Sequence, residues 1–473
     1  MSNSTPSSEP AASDSTAPDT SIAAAPGSSS SGVTRDDKAS TAPAAPTKST
    51  STPASTISAG TMPGRSAERT RNVAKRAARK DRPNFIQLTH TPLIPERILR
   101  QYGAYSWYDD RFRASARLLQ CLWLRDHDIP TAASPVNASD NPAANAGFGS
   151  ILTVEAANAG LNFLSSAVHR HCLHSWLMSE PGACYEETRL FGNSLSSMPM
   201  AFNLLAPLAW DLDLASRVFS RLLPGIFQRV ERIQFETSPG RRDTRFNPRG
   251  EGPYLGDRSA FDCAIHGVDV SGTPCIVYTE IKYSETLNHT NIAKMRERYN
   301  EASRQVRLYD NPDSLILRSP PIEQFWREHM LAQLAVDNGV TAKAVFLAIG
   351  PELNRRVQGA FQVYEGELIE PNRQEPGRVP FIPMTLETVI RAIAHAGAID
   401  HARALWGRYC DFDRVYRLSF QQLTGDASPN PTDKPAQHLQ ATALPPIRRA
   451  PVRRTRASSR RPSDTSITKQ EAV

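Results

Sequence analysis

The 473-residue chain has little of what would mark a secreted or a membrane-spanning protein. It contains six cysteines without a C-x-x-C pair or the even spacing of a disulfide framework, so we expect reduced thiols. No apolar run approaches the roughly 18 residues that a bilayer span needs. The first residues, MSNSTPSSEPAASD, lack the basic start and the apolar stretch of a secretory signal. The sequence therefore predicts no membrane partner and a cytoplasmic location, or a nuclear one in a eukaryotic cell.

Large apolar side chains are scarce at both ends of the chain. Hydrophobic residues make up 40% of the sequence, there are 37 prolines, and the first 64 residues are rich in Ser, Thr, Ala and Pro. Such a composition cannot bury enough surface to offset the entropy of ordering. We expect a disordered N-terminal tail with a basic end (1–82), a mainly helical extension (83–184), an α/β core (185–370), a helical C-terminal cap (371–425) and a disordered basic tail (426–473).

The formal net charge of +7 is concentrated in two flanking segments. Residues 65–82 and 444–473 each hold eight basic and two acidic side chains, so the rest of the chain is slightly acidic. Basic runs of this kind bind polyanions, aid solubility or serve as addresses. They fit non-specific attachment to nucleic acid, and a solvated tail without a specific partner is an equal alternative.

The order of the predicted elements is that of a mixed α/β protein. Helical periodicity runs through SWYDDRFRASARLLQCLWLRD and resumes after a loop rich in Pro, Ala and Asn. Three strands follow, at RVERIQFET and at about 259–270 and 273–283. After two helices, TAKAVFLAI is an uninterrupted apolar strand, typical of a sheet covered on both faces, and the chain ends in helices. The sequence predicts a central mixed β-sheet flanked by helices.

Two of the predicted strands carry charge where a buried strand should be apolar. Side chains alternate along CIVYTEIKY, so Glu280 and Lys282 share one face. Asp262 interrupts the apolar run SAFDCAI on the strand before. Buried carboxylates are rare unless they are paired or bound to metal, and two on neighbouring strands would offer oxygens to a hard cation such as Mg²⁺. An isolated E-x-K is more often an ion pair at a sheet edge, but the combination favours a metal site.

Asp262, followed by the E-x-K tripeptide 280–282 in this element order, resembles the PD-(D/E)XK nuclease superfamily. More narrowly, the chain is similar to an uncharacterised bacterial branch of restriction-type endonucleases, through segments such as FETSPGR, RSAFDCAI and TEIKYSE. The resemblance covers about residues 185–368. Phe261 stands where the superfamily's named pair has proline.

The resemblance implies a restriction-endonuclease-like fold that hydrolyses phosphodiester bonds, with DNA as the expected substrate, by a metal-activated water. It implies that Asp262 and Glu280 ligate Mg²⁺ (or Mn²⁺) and that Lys282 is the catalytic amine. Glu236, at the end of the preceding strand, and Gln324, on a later helix, are auxiliary candidates.

A loop rich in glycine and arginine precedes the strand that carries Asp262. Its arginines are candidates for contacts with the phosphate backbone of a nucleic-acid partner, and a solvated polar loop is an equal alternative for any single one of them. The candidates are Arg241, Arg242, Arg245 and Arg258. The sequence leaves a homodimer open.

The turn between the two charged strands offers a test of the site. A two-residue turn at Ser271-Gly272 would place Asp262 opposite Ile281, on the side of the sheet away from Glu280. A shared site therefore requires an odd-length loop or a bulge, with Gly272 taking a positive φ.

Two other interpretations remain. A catalytically inactive nuclease-fold protein that binds nucleic acid or acts as a scaffold is the alternative function, and a protein–protein adaptor has no support beyond the tails. The stretch HRHCLHSW suggests zinc, but no second pair of ligands is evident, so ordinary helix histidines are favoured.

Overall fold

Five strands form one mixed sheet with helices on both of its faces, which confirms the fold class predicted from the sequence. The computed structural model describes residues 85–132, 148–241, 252–285, 296–369 and 377–425. The tails predicted to be disordered lie outside the described residues. The strands are β1 (Arg229–Thr237), β2 (Phe261–Val268), β3 (Pro274–Ile281), β4 (Lys343–Gly350) and β5 (Phe381–Thr385).

The helices fall before, within and after the strand region. They are α1 (Glu96–Gln101), α2 (Arg111–Asp126), α3 (Val154–Asn158), α4 (Ser166–Leu177), α5 (Ser197–Trp210), α6 (Leu212–Leu222), α7 (Glu297–Gln305), α8 (Ile322–Asp337), α9 (Arg355–Gly366), α10 (Leu386–His395), α11 (Ile399–Tyr409) and α12 (Phe412–Thr424), with a π-helical turn at Thr188–Gly192. No helix in the described part of the chain is long and apolar enough to cross a bilayer.

The strands lie side by side in the order β1-β2-β3-β4-β5. β1, β2 and β3 are antiparallel neighbours, whereas β4 runs parallel to β3 and β5 parallel to β4. Each parallel step needs a crossover, which α7 and α8 provide before β4 and α9 before β5. β5 lies in the segment predicted as a helical cap; its five residues, FIPMT, are too few for a recognisable alternation.

Alternation along β3 divides the two faces of the sheet between two hydrophobic cores. Ile276 and Tyr278 pack with α7, α8 and α9. Val277 and Ile281 face the other way and pack with α1, α2, α4 to α6 and α10 to α12. Because side chains two residues apart share a face, Glu280 lies with Ile276 and Tyr278 on the α7–α9 side.

The helices before and after the core segment meet behind the strand end that carries Lys282. On α2, the Gln120 amide donates to the hydroxyl of Tyr283 (3.2 Å) and to the carbonyl of Arg408 on α11 (2.6 Å). Tyr283 is fully buried, and its ring packs edge-on against Tyr409. The helices of the predicted extension and cap thus hold this end of β3 in place.

Gly267 on β2 lies where β1 bulges, and its backbone closely approaches that strand. A Cβ at position 267 would lie 1.9 Å from the carbonyl oxygen of Arg229 and 2.7 Å from Cζ of Phe227. Because the strands cannot separate without breaking their ladder, we expect Gly267→Ala to lower the free energy of unfolding by about 3 kcal/mol. Denaturant unfolding followed by circular dichroism measures this. Gly359→Ala on α9, where nothing lies near the added methyl group, is the control and should be neutral or stabilising; equal losses in both variants would contradict the prediction.

Candidate active site

β2 and β3 bring two acidic side chains to the same end and face of the sheet. Cys263 pairs with Thr279, and continuing that register by one residue sets Asp262 opposite Glu280. Opposite residues on antiparallel strands point to the same face. The Asp262 carboxylate also accepts a hydrogen bond from the backbone N–H of Ile281 (2.7 Å). Asp262 is thereby fixed beside the E-x-K tripeptide.

The hairpin between these strands has the odd-length loop that the sequence requires. The ladder ends at Val268 opposite Pro274, and the N–H of Asp269 then donates to the carbonyl of Thr273 (2.9 Å). Three residues remain in the loop, and Gly272 has a φ of +80°. The prediction of an irregular turn is confirmed, and its consequence is that Asp262 and Glu280 share a face.

A third carboxylate, that of Glu236 on β1, lies next to Asp262, so that Glu236, Asp262 and Glu280 form a row across three neighbouring strands. Phe235 pairs with Cys263, and the same register sets Glu236 opposite Asp262. Glu236 has a φ of +44°, a left-handed conformation that is rare for a residue with a side chain and uncommon in a strand. Its carboxylate accepts a hydrogen bond from the N–H of Cys184 (3.2 Å). Strain of this kind is held by surrounding structure and concentrates at functional sites.

Lys282 is held by a hydrogen-bond network that includes residues of α8. Its Nζ donates to Oε1 of Glu280 (2.5 Å) and to the carbonyl oxygen of Gln324 (2.7 Å). The amide nitrogen of Gln324 donates in turn to Glu280 Oε1 (2.8 Å) and to Glu328 Oε1 (2.7 Å). An ammonium group only donates hydrogen bonds, so the carbonyl of Gln324 faces Lys282 and its NH₂ group faces the two carboxyl groups.

The network lies in an environment crowded with negative charge. Burial, and then the charge of Glu280, raise the pKa of Asp262 well above its ordinary value. The pKa of Glu328 is raised by the same two causes, and its Oε2 is buried without a hydrogen-bond partner. Burial alone would lower the pKa of Lys282, but the carboxylates of Glu280, Glu328 and Glu285 outweigh it and raise that pKa. The amine is therefore held as an ammonium ion.

The donor chemistry at this end of the sheet fits a hard divalent cation. Asp262 Oδ1 and Glu280 Oε2 take no hydrogen bond from the described residues, so each carboxylate has an oxygen to offer. Burial, and then the charge of Glu280, raise the pKa of Asp262, and a cation beside this carboxylate would favour its ionised form. The described residues contain no group of three or more His, Cys, Asp or Glu side chains arranged to hold a metal. Asp262 and Glu280 would hold such an ion, and water or substrate oxygens would supply its other ligands.

The site residues open onto one cleft of about 630 Å³. Its lining includes Asp262, Glu280, Lys282, Glu236 and Gln324, together with the arginines Arg189, Arg258, Arg296 and Arg327. The predicted acidic and amine residues are thus brought together. Gln324 and Arg327 both face the cleft, since residues three apart on a helix lie on the same side.

The predicted phosphate-binding arginines have different surroundings. Arg258 is exposed at the cleft, and its side chain makes no hydrogen bond or ion pair with the described residues. Arg241 is fully buried, and its guanidinium donates to the carbonyls of Arg258 (2.7 Å) and Ser259 (3.2 Å), so it braces the loop from within. Arg242 and Arg245 lie outside the described residues.

Three further residues near the site are not identified by the sequence analysis. Glu328 lies four residues after Gln324 on α8, a spacing that places both on one helical face and could have identified it. Glu285 caps the start of α5 by accepting from the N–H of Ser197 (2.9 Å), and Lys282 lowers its pKa despite burial. Asp257 accepts from Tyr299 (2.7 Å), a contact between distant segments that no local pattern indicates.

The histidines of α4 have structural partners. His169 stacks on Phe163, and His171 accepts a hydrogen bond from the indole N–H of Trp210 (3.0 Å). Burial lowers the pKa of both imidazoles. These contacts agree with the interpretation of ordinary helix histidines.

Comparison with known proteins gives one finding. A family model described as the PD-(D/E)XK nuclease superfamily matches residues 107–411, which is more than half of the chain. The match extends on both sides of residues 185–368, the segment that carries the resemblance in the sequence. No curated protein and no solved structure matches the chain significantly.

Proposed function

The chain belongs to the PD-(D/E)XK nuclease superfamily, and on that premise we propose that it is a metal-dependent nuclease that hydrolyses phosphodiester bonds in DNA. One observation carries the proposal. Asp262, Glu280 and Lys282 converge on one face of the sheet inside a cleft that also holds four arginines. Buried acids with a raised pKa are costly to a fold, and such clusters are characteristic of catalytic sites.

Asp262 and Glu280 would hold Mg²⁺ or Mn²⁺ through the oxygens that no described residue occupies. When bound, such an ion lowers the pKa of a water ligand and neutralises charge on the phosphoryl oxygens. Lys282 is held as an ammonium ion by Glu280 and the Gln324 carbonyl, and from there it orients the attacking water and stabilises the negative charge that develops on the phosphate. Glu236, the third carboxylate of the row, is the auxiliary acid.

Arg258 is our candidate for contact with the substrate's phosphate backbone. Its side chain is exposed at the cleft and makes no hydrogen bond or ion pair with the described residues. Arg241 supports it indirectly by holding the Arg258 carbonyl. We also propose that the protein acts inside the cell, in the cytoplasm or in a eukaryotic nucleus; its six unpaired cysteines support this location.

A cleavage assay tests the proposed function. Labelled single-stranded and duplex DNA and RNA are incubated with the full-length protein in Mg²⁺, in Mn²⁺ and in EDTA. We expect products with either metal and none in EDTA. Binding of every substrate without cleavage under any condition would instead establish the inactive, nucleic-acid-binding alternative.

Gln324 should affect the rate of the reaction more than the binding of substrate. Gln324→Leu removes the carbonyl that holds Lys282 and the amide that spans Glu280 and Glu328. We expect kcat to fall about 10- to 100-fold, because a misplaced catalytic group costs that much, with KM nearly unchanged. Gln333→Leu removes a buried amide from the same helix, one that contacts Asp337 and a loop carbonyl outside the cleft. It should lower stability without changing kcat, and an equal fall in kcat would contradict the assignment.

A further inference from the structure

The loop before α2 presents two exposed aromatic rings on a firmly anchored backbone. Trp107 is 83% exposed, the highest value for a large apolar side chain among the described residues, and Tyr108 is 56% exposed. Their rings meet edge to face at 5.4 Å. The next residue, Asp109, is buried between Arg113 (3.0 Å) and Arg117 (2.7 Å). The fold therefore holds an apolar surface in water at a fixed position, which marks an interaction site.

Positively charged side chains lie beside this loop. Where α2 and α9 begin, a groove of about 250 Å³ is lined by Arg111, Arg355 and Arg356. Arg356 forms an ion pair with Asp110 (3.3 Å), but the side chains of Arg111 and Arg355 are exposed and have no partner among the described residues. Two guanidinium groups that the described residues leave without a partner, next to exposed aromatic rings, fit a partner that carries both phosphates and flat rings.

This surface, formed by Trp107, Tyr108, Arg111 and Arg355, adjoins the candidate active site through the end of β3. Arg113, two residues after Arg111, donates to the carbonyl of Ser284 (2.5 Å). Ser284 lies two residues after Lys282, a separation of at most about 7 Å along the chain. Asn354, next to Arg355, donates to the carbonyl of Tyr283 (2.9 Å). The segment that follows Lys282 therefore has the catalytic cleft on one side and the α2–α9 groove on the other.

We infer that this surface binds a single-stranded nucleic-acid segment adjacent to the bond that is cut, with a base stacked on Trp107 and phosphates on Arg111 and Arg355. The inference rests on the proposed nuclease function and adds the form of the substrate. A base must be unpaired to stack on a side chain, so the surface favours single strands, overhangs or frayed ends over continuous duplex.

Binding in EDTA, where no cleavage occurs, tests the inference separately from catalysis. Anisotropy of a labelled 20-nucleotide single strand, as DNA and as RNA, is measured over a range of salt concentrations with the full-length protein. We expect Trp107→Ala to weaken binding about 5- to 140-fold, the range that stacking of one base carries, with an unchanged salt dependence. Trp107→Phe keeps a ring and should retain most of the affinity.

Replacing the two arginines of this surface should change the salt dependence of binding, which Trp107→Ala leaves unchanged. Arg111→Ala combined with Arg355→Ala should reduce the slope of log K against log salt by about 1.4, because each phosphate contact on a single strand contributes about 0.7. Blunt duplex binding should be unaffected by Trp107→Ala. The controls are Trp210→Ala, at the far end of α5 and about 20 Å from its cleft-side start, and Arg221→Ala on α6.

The inference would be overturned by an affinity of Trp107→Ala equal to that of Trp210→Ala, or by an unchanged salt slope in the double arginine variant. Absence of single-strand binding by the wild type would also overturn the inference; if the protein still cleaved duplex in the presence of metal, the proposed nuclease function would stand.

If the predicted binding pattern were found but no metal supported cleavage, the inference about binding would stand and the proposed nuclease function would be refuted.

Discussion

Replacing Lys282 by alanine should abolish metal-dependent cleavage, with a fall in kcat of about a thousandfold or more. The reason is that the ammonium of Lys282 lies 2.5 Å from Oε1 of Glu280, a candidate metal ligand, and a positioned proton-transferring or charge-stabilising group contributes 10²- to 10⁴-fold. The measurement is single-turnover cleavage of labelled DNA at saturating metal and enzyme.

The same substitution should also destabilise the protein. Lys282 and Glu280 form a buried ion pair, and removal of one partner leaves uncompensated charge at a cost of about 3–5 kcal/mol. Lys282→Arg keeps the charge but not the compact ammonium, so it should recover much of the stability and little of the activity. Lys343→Ala removes the lysine that pairs with Asp269 at the opposite end of the sheet and should leave kcat unchanged. Lys282→Ala retaining more than a tenth of wild-type activity would refute the catalytic role.

Asp262→Asn should stabilise the protein, whereas Lys282→Ala destabilises it, and it should reduce catalysis by a similarly large factor. Asparagine keeps an oxygen that can accept the hydrogen bond from Ile281 but is a poor ligand for a divalent cation. We expect cleavage to fall at least a thousandfold and the metal-free melting temperature to rise. Removing a buried charge that faces Glu280 relieves repulsion, and this exchange of stability for activity is common at catalytic sites.

The change in stability caused by Asp262→Asn should depend on pH. Burial and Glu280 raise the folded-state pKa of Asp262 above its unfolded value, so ionisation opposes folding. The stabilisation by Asp262→Asn should therefore be absent in acid, appear as the pH rises above about 4, and be complete above the folded pKa. Melting curves between pH 4 and pH 8 in EDTA measure it.

Asp269 is the matched control on the same hairpin. Its partners Lys343 and Ser271 lower its pKa, so its ionised form favours folding. Asp269→Asn should destabilise the protein at neutral pH, and that loss should shrink as the pH falls through the folded pKa. A melting temperature that falls equally in both variants would mean that Asp262 is an ordinary structural carboxylate.

The sequence by itself determined the features that depend on the regular alternation of side chains along a strand. Period-two alternation assigned Glu280 to a face of β3, and the apolar run in β4 indicated a sheet covered on both sides. Register arithmetic even required an odd loop at Gly272, because a one-residue slip reverses every side chain of a strand. These inferences depend only on local geometry, which neighbouring residues fix.

Only the tertiary structure decided which distant side chains meet. Glu328 reaches the site because α8 crosses back over the face of the sheet that holds Glu280, and Arg241 turns inward because two loop carbonyls require donors. The loop at Trp107 lies beside the end of β3 because Arg113 binds Ser284, 171 residues later in the chain. A local pattern can place Glu328 and Gln324 on one helical face, but which face of the sheet that helix covers is a property of the whole chain.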